Sequence, residues 1–235
     1  MHPKKITPNP LASSTIEIRF KTAKESSSIL KSFFDVLSDE LPKLESTSIP
    51  REIRIKHQDL KYVPDYILSN DDYSVSFNEN FVGFENITEY QLWGEYSSVF
   101  KKILDSILST NIIENIERIG VRYQSKFETN DFSNIVKEIP KLKIDEFEEN
   151  FLAYSTKLNS DEFDILLRLK KDITESEFDS EEEKKEQLID IDVYILGNIE
   201  YSDIFNKINS AHILLKKLFF GLLKDDFIKT LNPEY

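Results

Sequence analysis

Residues Glu117-Arg118-Ile119-Gly120-Val121-Arg122-Tyr123 alternate charged residues or glycine with apolar ones, and this stretch decides how the chain is read. Period-two alternation puts Ile119, Val121 and Tyr123 on one face of a strand and Arg118, Gly120 and Arg122, with Gln124, on the other. The same pattern stands near the start, where Thr15–Phe20 alternates and Glu17-Ile18-Arg19-Phe20 echoes Gly120-Val121-Arg122-Tyr123. A second echo pairs Asn86-Ile87-Thr88-Glu89-Tyr90 with Asn198-Ile199-Glu200-Tyr201, each ahead of a long apolar helical stripe.

Between the echoes the periods recur in one order. Ser26–Ser28 offer caps for a helix carrying Ile29, Leu30, Phe33, Phe34, Leu37 and Leu41, which Pro42 ends. Short strands are predicted at Glu52–Lys56, Tyr66–Ser69, Tyr73–Phe77 and Phe81–Phe84, with turn chemistry at Asp71-Asp72 and Asn78-Glu79-Asn80. Thr88 and Gln91 fit a capping box for a helix whose stripe runs from Leu92 and Trp93 to Leu108. After the central strand follow a short helical segment over Phe132–Leu142, strands near Asn150–Leu158, Glu162–Leu169 and Leu188–Gly197, and a last helix from Ser202 to Lys229. The very polar stretch Thr174–Glu186 reads as a solvated connection.

The expected fold is therefore α+β: a tandem duplication of a β-α-β(3–4)-α unit, with a curved antiparallel sheet and long helices on one face. That pattern is analogous to TATA-binding-protein-like or helix-grip folds. The expected organisation is an arm over residues 1–14, a first repeat over 15–112 and a second over 113–235.

Strand parity also sorts the charges. Glu17 and Arg19 share a face, as do Arg118 and Arg122, and as do Asp190, Asp192 and Tyr194 in the late strand. Charges in mid-sheet are unexpected unless paired or used. Arg19, Arg118 and Arg122 are thus candidates to bind an anionic group or acidic peptide, with Asp190 and Asp192 orienting them. The plainer reading is cross-strand ion pairing on a solvated face.

The chain has 235 residues, 43 Asp and Glu against 30 Lys and Arg, and a formal charge of −13. That balance argues against general binding to nucleic acid or anionic membranes. With no cysteine, disulfides, thiolate metal sites and a cysteine nucleophile are excluded, and a reducing, cytoplasmic setting fits best. Even Ile213–Leu223 is interrupted by Lys216 and Lys217, well short of the roughly 20 apolar residues a membrane span needs. No apolar signal region stands at the N-terminus.

The five glycines, Gly83, Gly94, Gly120, Gly197 and Gly221, allow neither a Walker loop nor a dinucleotide fingerprint. Serine-hydrolase, zincin and kinase signatures are absent too. Two aspartates are too few for a metal, Glu181–Glu183 read as solvated, and His2 and His57 have no spacing that joins them to His212. His212 itself reads as a satisfied, partly buried histidine, and Trp93 as part of its helix's core stripe. No cofactor is called for.

Asn9-Pro10-Leu11 leading into Ile16–Phe20, then Glu117–Tyr123, then Asp190-Ile191-Asp192 through His212 to Asn232-Pro233 together resemble a sporadically distributed bacterial family, a conserved-domain family of unknown function. The resemblance spans nearly the whole chain and brings no catalytic residues with it. It implies an accessory role of the antiphage-defence or toxin-associated kind. The expected function is a non-enzymatic recognition protein that senses a protein partner, an effector encoded nearby or a phage component. The rivals are a small-ligand receptor with a cavity between sheet and helices, and a carboxylate-dependent metal enzyme using Asp190 and Asp192. Oligomeric state is left open, since strand edges can close by internal pairing or against a second subunit in a homodimer.

Overall fold

The computed structural model describes residues 2–47, 49, 51–54, 56–129, 132–138, 152–174 and 185–235. Strand β1 (Leu11–Lys21) begins ahead of the expected Thr15, since Ser14 continues the buried alternation of Ile16, Ile18 and Phe20 and the Pro10 carbonyl already accepts from the Lys126 amide. Helix α1 (Ser26–Leu37) buries Ile29, Phe33 and Leu37, four residues apart, on one stripe.

The expected strand at Glu52–Lys56 is not formed. A four-residue helix α2 (Arg51–Arg54) takes its place, and the strand of this region is instead β2 (Lys43–Ser46). All four β2 residues are exposed, and with one apolar side chain, Leu44, the segment has no alternation to betray it.

Strands β3 (Tyr66–Ser69), β4 (Tyr73–Phe77) and β5 (Phe81–Asn86) form the expected antiparallel meander, with Leu68 opposite Val75 and Val75 opposite Phe84. Helix α3 (Trp93–Ser109) starts later than its capping box predicts. Thr88 donates to Asp72 and Gln91 accepts from the Tyr73 hydroxyl, so long-range partners take both capping side chains.

Strand β6 (Asn115–Glu128) is longer than the stretch that revealed it. Phe132–Asn134 form one 3-10 turn, and from residue 139 the expected helical segment lies outside the described residues. Strands β7 (Leu152–Ser160), β8 (Phe163–Thr174) and β9 (Lys185–Leu196) follow, and residues 175–184 of the polar connection lie outside the described residues.

The expected last helix is two: α4 (Ile204–Leu222) and α5 (Asp225–Thr230). Lys224 donates its amide to the Ile135 carbonyl and Lys137 donates to that of Leu222, which draws the backbone out of helical bonding between them. None of the described helices is long and apolar enough to cross a membrane.

The nine strands follow the hydrogen-bonded order β2-β3-β4-β5-β1-β6-β9-β8-β7, an α+β arrangement on a large antiparallel sheet. The chain divides into two compact units, each discontinuous in sequence. The first comprises Ser13–Val121 and Tyr194–Asn209; the second comprises Met1–Ala12, Arg122–Val193 and Ser210–Tyr235.

In the first unit α3 lays Phe100, Ile103, Leu104 and Ile107 over Ile16, Ile18, Val75, Val82 and Phe84, and the space left among them is about 10 Å³. This interface is a packed core, with no room there for the ligand cavity of a receptor. Tyr96 ties the helix to the sheet: its hydroxyl, fully buried, lies 3.1 and 3.2 Å from the carbonyls of Ser14 on β1 and Phe84 on β5. Burial holds that phenol far above its ordinary pKa, so it stays a donor. In the second unit the chain's ends meet, Lys4 and Thr7 donating their amides to Glu234 and Leu231.

Replacing Tyr96 by Phe keeps the ring and removes the hydroxyl. Chemical denaturation is expected to show a loss of about 1–2 kcal/mol, the cost of leaving buried carbonyls short of a donor.

Candidate functional site

On the first unit's sheet face opposite α3, the charged residues form a chain of contacts. Arg19 Nε donates to Glu17 Oε1 at 2.7 Å, and Arg118 Nη1 donates to the same oxygen at 2.6 Å. Each guanidinium also covers a tyrosine: Arg19 stands 3.8 Å from the Tyr62 ring centroid and Arg118 stands 4.5 Å from that of Tyr194. Arg118 is nearly buried, and it folds back along its own strand, so that a Cβ on Gly120 would stand 2.5 Å from Arg118 Nη1. Gly120 leaves the space in which that guanidinium lies flat against the sheet.

Tyr62 was not among the candidates read from the sequence, because it sits in an irregular segment with no period. Its position is built by long-range contacts. Asn78, wholly buried, donates to the carbonyls of Lys61 and Val63 on either side of it, at 2.9 and 2.8 Å. Phe81, opposite Arg19 in the β1–β5 register, meets the ring edge-on at 6.2 Å.

In the second unit, Asp190 is the centre. Arg122 binds it with both Nε and Nη2, at 2.8 and 2.7 Å, and Arg168 of β8 adds Nη1 at 3.0 Å. Only 3% of the Asp190 side chain is exposed, against 43% for Arg122 and 33% for Arg168. Burial alone would raise this carboxyl, but the bonds from Arg122, then Arg168, hold it below the usual range. Asp190 is therefore an organiser of arginines rather than a surface contact. Asp192 is half-buried on the same strand face. The five predicted site residues thus divide: Arg19 and Arg118 gather on Glu17 in one unit, and Arg122 gathers on Asp190 in the other.

A second buried ion cluster escaped sequence reading altogether. Arg54, whose side chain is 1% exposed, donates bidentately to Asp65 at 3.1 and 2.8 Å and through Nη2 to Glu79 at 2.8 Å. Ser26 at the start of α1 also donates to Glu79. Burial would raise the Glu79 carboxyl, yet the bonds from Arg54 and Ser26 hold it at about 2. These partners are 11, 25 and 53 residues apart in sequence, a spacing with no local signature.

His212 on α4 is buried, as expected of a satisfied histidine, with Nδ1 3.1 Å from the Tyr123 hydroxyl. Burial, and then the charge of Lys216, push its pKa down to about 3, so the ring is neutral and shares one hydrogen bond with the Tyr123 hydroxyl in a direction its tautomer sets. Trp93 is half-buried and donates its indole N–H to Asn209 Oδ1 at 2.9 Å, an anchor at the edge of the core stripe. Among the described residues no three His, Asp or Glu side chains converge as metal ligands would.

Arg19, Arg122 and Arg168, each held by a carboxylate deeper than itself, keep planar donors at fixed positions, which lowers the ordering cost of meeting an anion.

Adding a methyl at Gly120 displaces the Arg118 guanidinium from Glu17 and Tyr194. Gly120→Ala is expected to cost about 1–3 kcal/mol of stability, and clearly less when Arg118 is already Met, in a double-mutant cycle read by urea unfolding.

The depressed His212 pKa makes stability pH-dependent. Above pH 6.5 the ring is neutral both folded and unfolded; below it the unfolded chain takes up a proton that the folded one refuses. Stability from this group therefore falls by about 1.4 kcal/mol per pH unit from about 6.5 down to about 3. Glu79 adds a loss of the same sign between about 4.5 and about 2. Between pH 6.5 and 5, where Glu79 is silent, His212→Gln is expected to flatten the stability curve by about one proton.

No protein-family model and no curated protein matches the chain.

Proposed function

We propose that the protein is a non-enzymatic recognition module that binds a protein partner through arginines displayed on its sheet. One observation carries this reading: in each unit half-buried guanidiniums are anchored on a more buried carboxylate, Arg122 and Arg168 on Asp190, and Arg19 on Glu17. A pair serving stability alone gains little from leaving its arginine partly in water, where screening weakens it. Display on a rigid base is what a contact surface needs.

The strand order supports a duplicated unit beneath this surface. β1 is followed in the sheet by β5, β4 and β3, and β6 by β9, β8 and β7, with α3 and α4 each following the third strand of its meander in the chain. We read the two as copies of one β-α-β(3–4)-α unit. We take the resemblance to a sporadically distributed bacterial family as support for an accessory defence role, that of a cytoplasmic sensor for a phage component or an adjacent effector.

Native and denaturing mass spectrometry on the protein purified from its own host tests the reading. Additional mass of tens of kilodaltons from a second polypeptide is expected, lost in Arg122→Gln and in Asp192→Lys while both variants stay folded. A bare chain, a ligand of a few hundred daltons, or undiminished capture by both variants overturns it.

A further inference from the structure

We propose that Arg19, stacked on a Tyr62 ring that Lys61 also approaches, is a docking fork for a carboxylate side chain of the partner protein, whose apolar stem lies against the tyrosine ring. This rests on the recognition reading and names the contact that carries it in the first unit.

Donor accounting comes first. Arg19 commits Nε to Glu17 and makes no other hydrogen bond among the described residues, so the four N–H groups on Nη1 and Nη2 remain for a ligand. Its side chain is 30% exposed, enough to be reached. The guanidinium is also immobilised, by Glu17 at one end and by the Tyr62 ring beneath it at 3.8 Å. The ring in turn is pinned by Phe81 and by the two Asn78 bonds that clamp its segment. A planar fork held in place with both outer nitrogens available matches the two oxygens of a carboxylate.

Charge selects among anions. Lys61, exposed and without a carboxylate partner among the described residues, stands 5.1 Å from the same ring centroid. Two cations about one ring are a local exception in a chain of charge −13. Glu17 is shared between Arg19 and Arg118 and offsets only one of the three cations, so the site favours an anion, and the Tyr62 ring beside the fork suits an anion carried on an apolar stem, a carboxylate side chain, over inorganic phosphate. Tyrosine and arginine together are the side chains most often found at the energetic centre of protein interfaces.

The test uses the whole chain with ¹³C-labelled tyrosine rings, the Tyr62 signal being assigned by its loss in Tyr62→Phe. The probes are a blocked tripeptide with glutamate between two phenylalanines, its glutamine counterpart, and inorganic phosphate. The glutamate peptide is expected to shift the Tyr62 signal with a Kd of about 1 mM. The glutamine peptide should bind about tenfold more weakly, and Arg19→Lys, which keeps the charge and removes the fork, should cost about as much.

Thermal unfolding of Arg19→Lys checks that its fold is kept; Glu17 retains Arg118, so it should be. No Tyr62 response, equal responses to the two peptides, tighter binding of phosphate, or a full response in Arg19→Lys overturns the proposal. If Tyr62 stays silent while partner capture depends on Arg122 and Asp192, the fork falls and the recognition reading stands. If Tyr62 responds but the host protein comes out as a bare chain, carboxylate binding at the fork stands and its assignment to a partner protein falls with the recognition reading.

Discussion

A guanidinium that leaves water must be met by a carboxylate, because an unpaired buried charge costs far more than a folded domain can spare. The charged residues of this protein follow that constraint. Glu17, Asp190 and the pair Asp65 and Glu79 each receive one or more arginines, and the arginines then govern what stands around them. Arg118 requires a glycine beside it and a tyrosine above it; Arg54 ties α2 and the approach to β3 to the turn after β4.

The two faces of the first unit's sheet divide the labour. One is a dry interface in which α3 fills the space over β1, β4 and β5, with the Tyr96 hydroxyl bonded into the strand carbonyls. The other carries the ion pairs and aromatic rings. A rigid apolar face behind a polar one is how a sheet holds contact residues still: strands fix Cβ positions, and packing on the far side keeps the strands from sliding.

Much of this was legible in local pattern. Alternation at Thr15–Phe20 and Glu117–Tyr123 placed Ile16, Ile18, Ile119 and Val121 in the core and Glu17, Arg19, Arg118 and Arg122 on the other face. The spacing of Ile29, Phe33 and Leu37 and of Phe100, Ile103, Leu104 and Ile107 announced two helices. Failures occurred where a distant partner outbid a local preference. In place of the strand expected at Glu52–Lys56, Arg51–Arg54 became helical, and Arg54 reaches Asp65 and Glu79. Thr88 and Gln91 left their capping roles for Asp72 and Tyr73. Leu223 and Lys224 left the helix for the strand-like pairing of Val136 and the carbonyl of Ile135.

Periodicity and composition alone established an acidic α+β chain, its strand faces and the residue types on them, since a period of two or 3.6 is a property of neighbours along the backbone. Which arginine meets which carboxylate, and the rank of Asp190 as organiser and of Tyr62 as platform, came only with the folded chain. These depend on contacts between residues 68 and 43 positions apart, whose geometry is written in the order of the strands and nowhere in the adjacent sequence.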